Sequence, residues 1–166
     1  IQILDGIQNI LPYGATTAAQ TTMSNLLDAY KRAEVSPETG LAVYSLSSTL
    51  TDLAEPSESL LATTVFQTGL SEPVILLSSS QLELFRRGAP AHDERDIRGM
   101  RGAYFVVSSF LMRPTESRSW RMVADVEQDA GQIISNERLL ARQEVAAAAV
   151  EEDLRRSDTE HGVVIP

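Results

Sequence analysis

Few side chains in this sequence can carry chemistry, and their spacing can be tested against known arrangements. There is no Cys and there are only two His, His92 and His161, so thiolate nucleophiles and thiolate metal sites are excluded. An imidazole-built metal site would need carboxylate help. His92-Asp93-Glu94-Arg95-Asp96 gathers one titratable imidazole and three carboxylates. That composition suits acid–base catalysis or a metal, and equally a solvated loop; no ordered ligand spacing favours the chemical reading. Asp125, Glu127 and Asp129 alternate as the first acids of a calcium loop do, but Ala130 stands where that loop requires Gly and Asn136 where it requires Glu. They read instead as a strand end followed by acids at a helix N-terminus, where the dipole favours them. Asp52 and Glu55 form the nearest local carboxylate pair, too close along one loop to flank a sugar ring from both sides. Nucleophile-elbow, P-loop and dinucleotide glycine patterns are absent. No catalytic residue, metal ligand or cofactor is assigned.

Two binding surfaces are expected. Sugar-binding proteins use aromatic rings as flat apolar platforms with polar rims, and Tyr13, Tyr44 and Trp120 are the candidates among nine aromatic residues. Trp120 reads equally as a core or interdomain plug, because its period-two partners Met122, Ala124 and Val126 are all apolar. Arg98-Gly99-Met100-Arg101-Gly102 offers two guanidinium groups and backbone amides to an anion or an acidic partner. The competing reading is a glycine-hinged entry into a strand at Ala103.

The 166 residues suffice to enclose a hydrophobic core, with 43% hydrophobic and 22% charged residues, so the chain should fold. A net charge of −9 argues against general nucleic-acid binding. Within that acidic chain, residues 86–121 hold eight Arg against Asp93, Glu94, Asp96 and Glu116. The longest apolar run, Val145 to Val150, is far short of the roughly 20 residues of a membrane span.

The elements that must position these residues follow from pattern. Ile1 to Leu4 reads as a strand, and Asp5 to Gly14 as an ordered, partly buried loop. Ala19, Met23, Leu26, Leu27 and Tyr30 make one apolar face of a helix capped at Thr16 or Thr17 and running to Ala33. Strands are expected over 41–50, 60–70 and 74–77, with 51–59 a loop. Ser80 and Glu83 have capping-box spacing and Gly88 sits at a C-cap, predicting a short helix over 80–87 before a polar loop over 89–102. The segment 104–112, apolar on both faces, and the alternating 120–126 are expected to pair as an antiparallel hairpin. From Gln128 to Arg156, Ala, Glu, Gln, Arg and Leu predict one helix of roughly 40 Å, long enough to meet something outside the chain.

Several stretches carry a family resemblance. Leu4-Asp5-Gly6-Ile7-Gln8-Asn9-Ile10-Leu11-Pro12-Tyr13-Gly14, then Asn25 to Arg32, Thr39-Gly40-Leu41 and Asp52-Leu53-Ala54-Glu55-Pro56 resemble the N-terminal β-rich part of large bacterial carbohydrate-active proteins. These are similar to cellobiose-phosphorylase-like glycoside hydrolases and phosphorylases. Trp120 to Val126, leading into a long helix, looks like the exit from their β-supersandwich into a linker. The resemblance implies an α+β fold, mainly an antiparallel β-sandwich-like (supersandwich) sheet with two shorter helices and a long C-terminal linker helix. It divides the chain into an incomplete sandwich domain over 1–127 and a linker over 128–166 that leads toward a further domain. It places the catalytic carboxylates in a helical barrel beyond this chain, so none is carried over. The expected role is a non-catalytic portion of a carbohydrate-processing protein, with that helical domain, an oligosaccharide and a second copy as partners. The opening in mid-strand and the apolar end suggest a piece of a longer bacterial polypeptide, of cytoplasm or periplasm, with sheet edges left exposed. A protein–protein assembly module with no sugar role is the alternative.

Overall fold

In a computed structural model of the chain, which describes residues 1–47 and 60–161, β7 (Gly102–Ser109) is enclosed on both faces over residues 102–107. Ala103, Phe105 and Val107 alternate with Tyr104 and Val106, and both sets are buried. β7 is the centre of a three-stranded antiparallel sheet, between β1 (Gln2–Ile10) and β5 (Val74–Leu76). A five-stranded antiparallel sheet has the order β6 (Asp96–Arg98), β2 (Lys31–Val35), β3 (Ala42–Leu46), β4 (Ala62–Thr68), β8 (Arg121–Gln128). The fold is α+β, as the sequence implied, with two antiparallel sheets and five helices among the described residues.

One apolar cluster takes side chains from both sheets: Ile10, Ile75, Tyr104 and Val106 from the first meet Ala33, Ala42, Tyr44 and Val65 from the second. Close approach there needs glycine. A Cβ on Gly6 would lie 2.2 Å from the Tyr104 carbonyl oxygen, and one on Gly102 would lie 2.8 Å from the Tyr44 ring. The other face of the first sheet is covered by Leu82 and Phe85 of α3 (Leu82–Arg86). α4 (Ala130–Leu140) and α5 (Gln143–His161) cover the second sheet, burying Leu140 and Ala146 against Leu41 and Phe66. α1 (Thr17–Thr22) and α2 (Ser24–Tyr30) close one end, with Leu27 on Leu46 and Ala15.

A strap joins the sheets. Glu94 N donates to the Ile75 carbonyl at 2.9 Å, Asp93 Oδ1 accepts from Ile75 N at 2.9 Å, and Val35 N donates to the Arg95 carbonyl at 3.0 Å. The chain thereby covers the edge of β5 and continues into β6 beside β2.

Several expectations are corrected. Residues 5–10 are strand, because β1 continues along β7 through a bulge at Asn9, whose φ is 58°. The expected helix over 16–33 is capped by Thr16 but breaks at Met23 and ends at Tyr30; Lys31 to Val35 pairs between β3 and β6 instead. The polar loop over 89–102 contains β6. The Ser80–Glu83 capping box does not form, since the Ser80 hydroxyl turns to Glu94, whereas Gly88 at φ 86° does end α3. β7 and β8 are not a hairpin: they lie in different sheets, each with better partners far away in sequence. The single long helix is two. Asp129 and Gln132 form a capping box at the start of α4, and the break after Leu140 lets both helices bury apolar residues on the sheet. Asp52 and Glu55 lie outside the described residues.

Candidate functional site

The three aromatic candidates do not form one surface. Tyr44 is buried, with its hydroxyl donating to the Ala103 carbonyl at 2.6 Å, and burial first, then the nearby Tyr104 and Glu94, pushes its phenol far up. It is a core residue and offers no platform, a correction to its sequence reading. Trp120 is half-buried against the core between the sheets, and its Nε1 donates to Asp5 Oδ2 at 2.8 Å. Tyr13 is 36% exposed and donates to Glu127 Oε1 at 3.1 Å; that hydrogen bond and the carboxylate charge raise its phenol. Trp120 immediately precedes β8 and Glu127 is its next-to-last residue, roughly 23 Å apart at strand spacing, so Trp120 and the Tyr13 contact sit near opposite ends of it.

The arginine segment is not an open anion cradle. Arg98 lies on β6 and pairs with Asp96 at 3.2 Å. Asp96 also holds Arg32 at 3.2 Å, and the hydrogen bonds from Arg32 and then Arg98 keep its carboxyl below the usual range. The Gly99 amide is spent on the Lys31 carbonyl at 3.0 Å. Arg101 is exposed, with its charge acting on Asp28.

The acids beside His92 are occupied by the fold. Gln81 holds the His92 backbone at both N–H and C=O, each at 2.9 Å, while the imidazole is exposed. Glu94 accepts from Leu77 N and Ser78 N at 2.8 Å each, and from Ser78 Oγ, Ser80 Oγ and Gln81 Nε2 at 3.2, 3.0 and 2.9 Å. Of the alternating acids, Asp129 caps α4 and Glu127 holds Tyr13. Among the described residues no three His, Asp or Glu side chains are placed to hold a metal.

What the fold does bring together is a cleft of about 790 Å³ that sequence reading missed. It lies between the β2–β3 loop, the β4–β5 loop, the strap and the start of α5. Its walls present Glu38, Glu72, Asp93 and Glu144, with Arg95 the one cation in the lining, above an apolar base that includes Leu70 and Ile75. Both amide atoms of Gln67 bind the Leu70 backbone, at 3.0 and 3.1 Å, and fix the β4–β5 loop. Glu72, just before Pro73, holds a left-handed φ of 45°, a conformation costly for a non-glycine residue. Ser36 and Thr39 hydroxyls donate to Glu137 at 3.2 and 2.7 Å and tie the β2–β3 loop to α4. Among the described residues Glu72, Arg95 and Glu144 make no ion pair or side-chain hydrogen bond, leaving them available to a ligand. Such a wall accepts hydrogen bonds from hydroxyls and donates from one guanidinium, and its acidic balance disfavours anions. The sequence signal available was indirect: Glu38 and Glu72 sit in Pro- and Gly-marked turns that no motif links.

Comparison with protein-family models gives no match for this chain, and comparison with curated proteins gives none either.

Proposed function

We propose that this chain is the non-catalytic, sandwich-like portion of a multidomain carbohydrate-processing protein, and that its cleft forms part of a saccharide entrance. The observation carrying this reading is the cleft itself: Glu72, Glu144 and Arg95, without side-chain partners among the described residues, over an apolar base, on loops at the junction of the sheets with α5. Neutral sugars present hydroxyl donors above weakly apolar ring faces, which such a lining complements. The shared apolar cluster between the sheets supports the sandwich geometry, and the motif resemblance to cellobiose-phosphorylase-like proteins supports the substrate class. The division into a sandwich over 1–127 and a connection over 128–166 belongs to the same proposal.

Calorimetric titration with cello-oligosaccharides and other neutral oligosaccharides tests it. Binding that is lost in Glu72→Gln and Arg95→Ala is the expected result. No heat with any neutral oligosaccharide at millimolar concentration would overturn it.

The assembly-module reading draws on a different observation: Ile134, Val145 and Leu154 are exposed on α4 and α5. Its proposed route through the arginines is weaker, because several are already paired: Arg87 with Glu83, Arg98 with Asp96 and Arg121 with Glu151. Association of the chain with itself, lost in Val145→Ser, with no response to sugars would favour this reading.

A further inference from the structure

The arginine excess of residues 86–121 is mostly spent inside the folded chain. Arg86 and Arg87 turn to Glu83 at 3.8 and 3.1 Å, and Arg98 and Arg121 to Asp96 and Glu151 at 3.2 Å each. Arg95 belongs to the cleft, and the charge of Arg101 acts on Asp28. What remains is Arg113 and Arg118, in the connection from β7 to β8, where they line one concavity of about 600 Å³ with Leu111, Pro114, Thr115 and Glu116.

That connection is fixed at each end. Phe110 and Ile1 exchange two main-chain hydrogen bonds, at 2.8 and 2.9 Å, and Trp120 Nε1 donates to Asp5. Between these anchors Glu116 closes a turn, its N–H donating to the Arg113 carbonyl at 3.1 Å and its Oε2 accepting from Arg113 N at 2.8 Å. Its other oxygen lies 3.6 Å from Arg118 Nε, an ion pair too long for a hydrogen bond. The Arg118 guanidinium lies over the Phe110 ring, 5.0 Å from its centroid, and stacking of this kind leaves the in-plane N–H groups open. Among the described residues the Arg113 side chain makes no ion pair or hydrogen bond. Two forks of donors therefore border one concavity with their hydrogen bonds unspent.

Two further features of the loop are costly without an occupant. Leu111 is 90% exposed, the highest value for a large apolar side chain among the described residues. Thr115 holds a left-handed φ of 70°, an outlier for a β-branched residue, and strain of this kind collects at ligand clamps.

We propose that this concavity receives an acidic segment of a partner polypeptide, with a carboxylate between Arg113 and Arg118 and a neighbouring apolar side chain against Leu111 and Pro114. Forked hydrogen bonds from guanidinium to carboxylate supply the specificity. Charge favours a short segment over an anionic membrane: the chain carries −9, which a bilayer would meet across the whole molecule and a peptide meets only at this loop. The site shares no residue with the cleft and stands apart from the saccharide reading.

The 166-residue chain is titrated with an alternating Leu-Glu hexapeptide and with its Leu-Gln and Ser-Glu counterparts, following backbone amide chemical shifts by nuclear magnetic resonance. The expected result is saturable binding of the Leu-Glu peptide alone, with the shifts concentrated in residues 110–119. Arg113→Gln, Arg118→Gln and Leu111→Ser should each weaken it about tenfold. Arg87→Gln, from the same stretch but paired with Glu83, should leave it unchanged. All four positions are exposed, so circular dichroism and the urea midpoint should match the parent chain. Equal binding of either counterpart, shifts that persist when Arg113→Gln and Arg118→Gln are combined, or no binding overturns the proposal. So does the same set of shifts with inorganic phosphate, which would make a free anion the ligand. Cosedimentation with phosphatidylserine vesicles that is lost in Leu111→Ser overturns it too, since a membrane would then be the partner.

Discussion

Lys31, the only lysine, is 3% exposed, and its Nζ donates to Asp28 Oδ1 at 2.7 Å and to the Gln20 side-chain oxygen. Burial by itself would raise the Asp28 carboxyl. The hydrogen bond and charge of Lys31, with the Gln20 amide and the Arg101 charge, outweigh it and hold the group below the usual carboxylate range. A carboxylate with a depressed folded pKa adds stability above its unfolded value, about 3.9, and that contribution is lost as pH falls through the folded value. Asp28→Asn leaves the ammonium buried without its counter-charge, so it should cost about 3 kcal/mol at pH 7. Urea denaturation should show the gap from wild type narrowing below about pH 4; a gap constant from pH 7 to 3 would mean that the pair does not act through its charge. The rarity of lysine is visible in the sequence but its burial is not, because the helical pattern runs on to Ala33 with no sign of the strand that begins at Lys31. Glu94 was misread for a related reason. Its cluster looked titratable and solvated, and nothing local revealed that two serines, a glutamine and two backbone amides converge on it from the β5–α3 turn.

Elements whose burial is written in their own pattern were legible: β4, β5 and most of β7 fall where β-branched and two-sided apolar runs put them. The C-terminal helix was legible in type and not in continuity, since Ala, Glu and Arg favour helix on both sides of the break. Packing decides it. Leu140 and Ala146 are both fully enclosed, and a straight helix could not keep α4 and α5 on the same sheet. Past Val150 that support ends, and Glu152 to Ser157 are exposed. Leu140→Ala should therefore cost about 2–5 kcal/mol, whereas Leu154→Ala should cost under about 0.5 kcal/mol. Amide exchange should show protection falling from 146–150 to 152–157. Uniform protection along α5 would contradict this account and point to a contact on its distal half.

At the scale of the molecule, pairing is dominated by segments far apart in sequence, which is why local reading failed there. β1 pairs with β7 about a hundred residues on, and β4 pairs with β8 across the whole of β5 to β7. Proximity in the chain favoured a β7–β8 hairpin; the core favours putting those strands in opposite sheets, where Val106 and Met122 meet the same apolar cluster. The cleft was illegible for the same reason, since its walls come from four separated segments. This architecture makes a cooperative prediction. A three-stranded sheet whose β5 spans only Val74 to Leu76 gains little independent stability, and both its faces depend on other elements. The second sheet would expose the shared cluster if the first left, and the strap with Glu94 couples them through the backbone. Neither sheet can unfold alone without uncovering the other, so Trp120 fluorescence and far-ultraviolet circular dichroism should report the same urea midpoint and slope. A fluorescence transition preceding the loss of secondary structure would show that the Trp120–Asp5 contact opens first and that the sheets are held together less by their common core than by the strap.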